Sequence, residues 1–203
     1  AFIEHLGRCV YGGIFEPEYV WSGAQKVASL DDLSGKRCRV VSYEASTALE
    51  KFGVAPVRVP SSETYLALQR GTVDAIVANI STVIGRSLQE QLQYCYKLPT
   101  TAYAISVYLL KDRWDALDDA TRDAFWNAAK WYDENSASYV NNEIYPNEYW
   151  PAVEEAGVEI IEPSADDVAR FADASQEIWT WWKGQVGEEV GQRAIDLALG
   201  KSA

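Results

Sequence analysis

The 203-residue sequence has no methionine, a single histidine (His5) and three cysteines (Cys9, Cys38 and Cys95). Each shortage removes a class of chemistry. A lone histidine leaves no His–Ser or His–Cys partnership and no HExxH metal site, so His5 is read as structural. Three cysteines are too few for a disulfide scaffold and lack metal-ligand spacing. Cys38 and Cys95 lie in apolar, strand-like contexts and are expected as buried free thiols; oxidation of one pair in a periplasmic setting is the alternative. No apolar run reaches the ~18 residues that a membrane span needs. Basic residues are scarce as well: 18 Lys and Arg against 30 Asp and Glu leave a net charge of −12. That balance argues against nucleic acid, whose phosphates require a basic face. A Gly-rich phosphate loop and a GxSxG elbow are both missing, and no carboxylate pair stands out as catalytic. Neither an enzymatic activity nor a cofactor is therefore expected. The missing methionine, and an opening "AFIEHLGRCV" without charged or apolar leader regions, give the expectation that processing or truncation has removed the start.

What is present is enough apolar residue, 48%, for the core of one large or two small domains. The stretch "SSETYLALQRGTVDAIVAN" reads as three pieces. Ser61 and Ser62 offer N-cap oxygens, Tyr65, Leu66 and Leu68 give a helical face, and "VDAIVA" after Gly71 is a buried strand. Before it, "SLDDLSG" is a one-turn helix, "KRCRVVS" a strand, "EASTALEKFG" a helix closed by Gly53, and "APVRVP" a strand. The alternation over residues 36–79 predicts parallel strands joined by right-handed helical crossovers, the doubly wound α/β class.

Elsewhere, "AFIEHLG" reads as a helix end, "RCVYGGIF" as a strand entering a loop, and "GRSLQEQLQYCYKL" as a helix running into a strand. "AYAISVYLL" is a further strand. From Asp118 a helical stripe (Ala120, Ala124, Phe125, Ala128, Trp131, Tyr132) runs over many turns, with Pro146 and Pro151 expected to kink or interrupt it. "GVEIIEP" is a last strand, Ser164 to Asp167 a capping box, and two helices close the chain. Trp179, Trp181 and Trp182 are expected to anchor helix packing.

Parallel α/β sheets bind ligands in the crevice outside the carboxyl ends of their strands. Arg39 and Asn79 stand at two such ends, so the chain delivers a guanidinium and an amide to one sheet edge. Arg39 either meets a ligand carboxylate bidentately or pairs with a structural carboxylate such as Asp74.

"SLDDLSGKRCRV" followed by "VAPVRVPSSETYLALQRGTVDA" resembles, in order and spacing, the periplasmic solute-binding subunits of TRAP (tripartite ATP-independent periplasmic) transporters. The likeness runs from about residue 20 to the C-terminus. It implies a two-lobed α/β clamp with doubly wound sheets and a long lobe-spanning helix. Such a clamp closes on a small organic acid in the periplasm and hands it to the membrane permease subunits. The family's carboxylate-clasping arginine falls on Arg39, and its second polar position on Ala78 or Asn79. Tyr19 and Trp21 fall where some members place a further pocket side chain, and Ser42, at the end of the Arg39 strand, joins the candidates. Val41 stands in place of the usual proline, Ala75 in place of glycine, and "IVA" in place of a more polar run. A less polar pocket follows, walled by Trp21, Tyr65 and Tyr103, for a monocarboxylate with an apolar body. On this resemblance residues 18–103 and 144–203 form the second lobe, and 1–17 and 104–143 a remnant of an incomplete first lobe. A small-molecule enzyme on a doubly wound fold, or an interaction module keeping only the fold, are the rival readings.

Overall fold

The computed structural model describes residues 8–201, with side chains from residue 13. The expected N-terminal helix end, His5 and the Cys9 thiol lie outside the described residues. The sheet has six strands in the order β3-β2-β4-β1-β5-β6. Strands β2 (Arg37–Arg39), β3 (Ala55–Val57) and β4 (Ala75–Ala78) are mutually parallel through β2, as the helical crossovers require. Those crossovers are α1 (Tyr43–Glu50) and α2 (Thr64–Gln69), the latter carrying Tyr65.

Strand β1 (Arg8–Ser22) runs antiparallel between β4 and β5 (Tyr94–Leu109), and β6 (Glu159–Ile161) pairs parallel with β5. The expected loop after "RCVYGGIF" is absent. The strand runs on through Pro17, which has no N–H to give the ladder, and the β1–β5 register shifts there, between Phe15 and Glu18. Likewise "AYAISVYLL" is the far half of one long strand rather than a separate element.

Period-two alternation sorts the side chains into two cores. Val20, Cys38, Val40, Ala75, Val77, Tyr96 and Leu98 face one side, under α1 and α7 (Ala165–Val186). Tyr19, Trp21, Ile76, Ala78 and Cys95 face the other. There they meet α3 (Ile80–Gly85) and the chain around Tyr145 and Val153. Every residue of β4 is buried, which is why it reads as an unbroken apolar run. Trp21 is fully buried and stacks on Trp150 with centroids 5.8 Å apart; truncating such a ring to alanine costs about 3–5 kcal/mol.

The remaining helices are α4 (Lys111–Asp115), α5 (Asp119–Tyr139), α6 (Trp150–Glu155) and α8 (Glu188–Ala198). Pro146 does not break the path between α5 and α6. Residues Val140–Tyr149 adopt a π-helix, whose i→i+5 turns absorb the residue that has no N–H, and Pro151 sits harmlessly in the first turn of α6. The expected helix over "GRSLQEQ" lies further upstream. Asn79 caps α3, and only a 3-10 turn, Leu88–Glu90, precedes β5. Half of the expected capping box forms: Ser164 Oγ accepts the Asp167 N–H at 3.0 Å, while the Asp167 carboxylate accepts from Tyr96 Oη (2.7 Å) and Arg170 Nη1 (3.1 Å). Among the described residues no helix is long and apolar enough to cross a membrane.

Candidate functional site

Arg39 ends β2. Its neighbours Cys38 and Val40 point into one core, so the alternation sends Arg39 to the opposite face, where it is only 2% exposed. Its Nε donates to Val59 O (3.2 Å) and its Nη2 to Ser61 Oγ (2.8 Å). Both partners are neutral, and no carboxylate lies within 4 Å among the described residues. Asp74 is engaged elsewhere: Arg37 holds it through Nη2–Oδ1 at 2.7 Å and Nε–Oδ2 at 3.1 Å. The structural pairing that competed for Arg39 thus belongs to Arg37. Burial lowers the pKa of Arg39, and the Glu18 carboxylate opposes that shift. Ser61, expected as an N-cap, instead gives its hydroxyl to this guanidinium, and the 3-10 turn Ser61–Glu63 has no side-chain cap.

Asn79 occupies the carboxyl end of β4 and is fully buried. Its Oδ1 accepts the Ser81 N–H at 2.8 Å, capping α3, and its Nδ2 donates to Glu16 O at 2.5 Å, tying that cap to β1. Tyr145 Oη reaches Ser81 Oγ (2.7 Å) and Asn79 Oδ1 (3.4 Å). A polar residue at the end of an apolar strand is here a cap with every amide atom engaged.

The remaining candidates divide. Tyr19 pairs with Ala78 across the β1–β4 ladder, and Trp21 Nε1 donates to Ala78 O at 2.8 Å, so these three form one buried cluster beside Asn79. Burial raises the Tyr19 phenol, and the nearby Glu16 carboxylate adds to that shift. Tyr103 lies opposite Phe15 on β5, half-buried, with ring centroids 6.4 Å apart. Ser42 caps α1, its Oγ accepting from Ala45 N at 3.0 Å. Tyr65 is not brought to Arg39: its hydroxyl donates to Glu90 (2.8 Å) and accepts from Gln91 (3.0 Å).

Glu90 and Gln91 line a cavity of about 340 Å³ with Gly71 and Asp74, at the other end of the strands. At the carboxyl ends of β2 and β3, Val40, Val41, Arg58, Val59 and Pro60 line a concavity of about 320 Å³. It shares Val59 with the Arg39 hydrogen-bond set.

Sequence reasoning passed over Glu18. The signal was there, in two glutamates flanking a proline inside an otherwise apolar strand. Glu18 Oε2 accepts from Thr101 Oγ1 at 2.6 Å and its backbone O from Thr100 Oγ1 at 2.8 Å. Burial raises its carboxyl above the ordinary range, while Thr101 and Arg39 pull it back. Tyr145 and Trp150 were also missed, hidden in a helical stripe; Trp150 Nε1 donates to Glu16 at 3.1 Å.

The family model DctP, described as bacterial extracellular solute-binding protein, family 7, matches residues 19–185. The chain belongs to that family. Its fold is shared with an extracytoplasmic solute receptor of Bordetella pertussis that binds pyroglutamic acid, with a TM-score of 0.82 at 22% identity. That match covers 94% of this chain and 62% of the receptor. A TRAP periplasmic solute-binding protein from Desulfovibrio salexigens with bound orotic acid gives 0.84 at 18% identity, covering 97% of this chain and 62% of that one. A curated solute-binding protein of Albidiferax ferrireducens is 30% identical over 88 residues, 43% of this chain and 26% of the relative. This DctP-family chain therefore spans about a quarter of that relative and three-fifths of the solved structures. Its sheet and helices match the TRAP solute-binding fold, with one lobe incomplete within these residues.

Proposed function

We propose that this chain supplies the carboxylate-holding lobe of an extracytoplasmic solute-binding protein. It captures a small organic acid reversibly, without bond chemistry, and passes it to the membrane permease subunits of a TRAP-type transporter from the periplasm. The observation that carries this reading is Arg39, a buried guanidinium whose described partners are all neutral. A buried charge left without a counter-charge is costly, and a ligand carboxylate at the strand ends removes that cost. Two of the five guanidinium N–H groups are engaged, which leaves donors for the ligand. The solved neighbours described with pyroglutamic acid, orotic acid and malonate all bound carboxylic acids.

In this reading residues 18–103 and 144–203 form the lobe that carries Arg39, and 1–17 with 104–143 belong to the other. The change of burial along β5 supports the division: residues 94–98 are largely buried, whereas Ala104, Ile105 and Ser106 are exposed. The ligand is a monocarboxylate with an apolar body. Arg39 clasps its carboxylate, Ser42, Ala78 and Asn79 border that group, and Tyr19, Trp21 and Tyr103 support or wall the pocket, while Tyr65, held by Glu90 and Gln91, stands apart from it. A thermal-shift screen of organic acids tests the assignment. Stabilisation by a carboxylic acid that is recovered unchanged is the expected result. Conversion of the acid to product would make the protein an enzyme, and no response to any acid would remove the binding role.

A further inference from the structure

A further cavity lies on the face of the sheet opposite Arg39. It occupies about 330 Å³ between α1, the middle of β5 and the far half of α7, a volume at the small end of the range that holds organic ligands. Trp179 and Trp182 line it from one turn of α7, and the buried Ala48 and Ile178 add apolar surface. Of the three indoles expected to anchor helix packing, only Trp181 has a ring partner, Tyr43, with centroids 4.8 Å apart. Among the described residues Trp179 and Trp182 have no ring, cation or hydrogen-bond partner, so their aromatic surface is left for an occupant.

Apart from the two indole N–H groups, the polar side chains here only accept. Thr100 Oγ1 gives its hydrogen to Glu18 O (2.8 Å), Thr101 Oγ1 to Glu18 Oε2 (2.6 Å), and Ser175 Oγ to Phe171 O (2.9 Å). A hydroxyl that has committed its single hydrogen offers the cavity lone pairs alone. Glu44, in the first turn of α1, adds a carboxylate with no ion pair or hydrogen bond among the described residues. No lysine or arginine lines the space. An anion placed there would meet Glu44 and no counter-charge. A cation meets aromatic rings and acceptors together.

We propose that this cavity binds a small primary amine as its ammonium ion. The apolar body lies against Trp179 and Trp182, and the N–H groups reach Glu44 and the threonine oxygens. A primary ammonium carries three donors and no lone pair, the complement of an acceptor-only rim. The site is separate from the carboxylate reading of Arg39, because that guanidinium projects to the other face of the sheet.

The test compares 2-phenylethylamine, an ammonium at neutral pH, with 2-phenylethanol, which keeps the body and loses the charge. Titration calorimetry should find the amine at least about 10-fold tighter. In Glu44→Gln that ratio should fall about threefold, the modest loss expected for an exposed carboxylate. Trp182→Leu should weaken the amine about fivefold, and the alcohol by less. Glu44 is exposed, so its replacement leaves the fold intact, and a misfolded Trp182→Leu leaves the other two comparisons standing. Equal binding of amine and alcohol overturns the proposal, as does failure of both to bind at millimolar concentration. An unchanged ratio in Glu44→Gln, or unchanged amine affinity in a folded Trp182→Leu, overturns it as well.

Discussion

At the residue scale, Arg39 was legible as a candidate for binding because a guanidinium at the end of an apolar strand is out of place in a core. Its surroundings were not legible. The sequence places both Arg37 and Arg39 near Asp74, and only the β2–β4 register, which sets Cys38 against Ala75 and so Arg37 beside Asp74, decides that Arg37 takes it. A strand end need not be open to solvent: Arg39 is buried, and it holds the 59–61 segment through Val59 and Ser61. Arg39→Ala should cost about 2–5 kcal/mol of carboxylate binding, or roughly 30- to 4,000-fold in affinity, read by calorimetry. Arg39→Lys should recover only part, since an ammonium keeps the charge and loses the fork. A variant that binds the acid normally would reduce Arg39 to a loop clasp.

Glu18 carries a pH signature of its own. Its folded pKa is raised, first by burial, so the native state holds this proton more tightly than the unfolded chain does. The stability linked to that proton is fully present below the ordinary carboxylate range, about 4.3, and is lost as pH rises through the folded value. Glu18→Gln should therefore melt increasingly above wild type as pH climbs from 4 to 8, and match it at the acid end. A Tm difference that shrinks with rising pH would mean that the Arg39 and Thr101 contacts outweigh burial.

At the element scale, the strand–helix alternation of residues 36–79 was readable because parallel strands need crossovers and glycines mark where helices stop. Gly53 and Gly71 do take positive φ. The function of Asn79 was not readable, since its partner Glu16 lies 63 residues away. With both ends of its amide committed, Asn79→Ala leaves Glu16 O and the start of α3 unsatisfied. Denaturation should show a loss of about 1–3 kcal/mol of stability, with or without ligand; an unchanged midpoint would free Asn79 for another role. The π-helix Val140–Tyr149 was equally unreadable, because a wide turn leaves no mark that a helical stripe would not. Deleting Asn142 should tighten it toward α-helical spacing and rotate everything beyond it by about 100°. Tyr145 and Trp150 would leave Ser81 and Trp21, and near-ultraviolet circular dichroism should lose aromatic signal. Retention of that signal would show that the segment tolerates either winding.

At the scale of the whole molecule, the family, the parallel half of the sheet and the division of burial along β5 followed from local patterns. The antiparallel course of β1 did not, because its pairing is set by partners some 50 to 100 residues away. Ile14 and Ile105 on the far halves of β1 and β5, Leu110 just past β5, and Trp131 and Tyr139 on α5 are exposed apolar residues. Exposed apolar surface of this kind promotes association. Residues 1–203 expressed alone should sediment as more than a monomer, and Ile105→Lys should shift that distribution toward monomer. A monodisperse monomer at high concentration would show that the face is tolerated in water.

The two buried cysteines offer a view of how this sheet opens. Cys38 and Cys95 lie on β2 and β5, separated by β4 and β1, so about 14 Å of sheet stands between them. A disulfide needs Cα atoms within ~7 Å, which excludes bridging this pair. They also belong to different faces, Cys38 under α1 and α7 and Cys95 against α3 and Tyr145. Burial pushes the Cys38 thiol up to about 12 and the Cys95 thiol well above its ordinary value. Since the thiolate is the reacting species, an alkylating reagent at neutral pH finds neither until a layer of helices lifts. The two thiols are therefore separate clocks, one for each side of the sheet. Equal labelling rates would mean that both layers come away in a single event, and unequal rates would name the layer that breathes first.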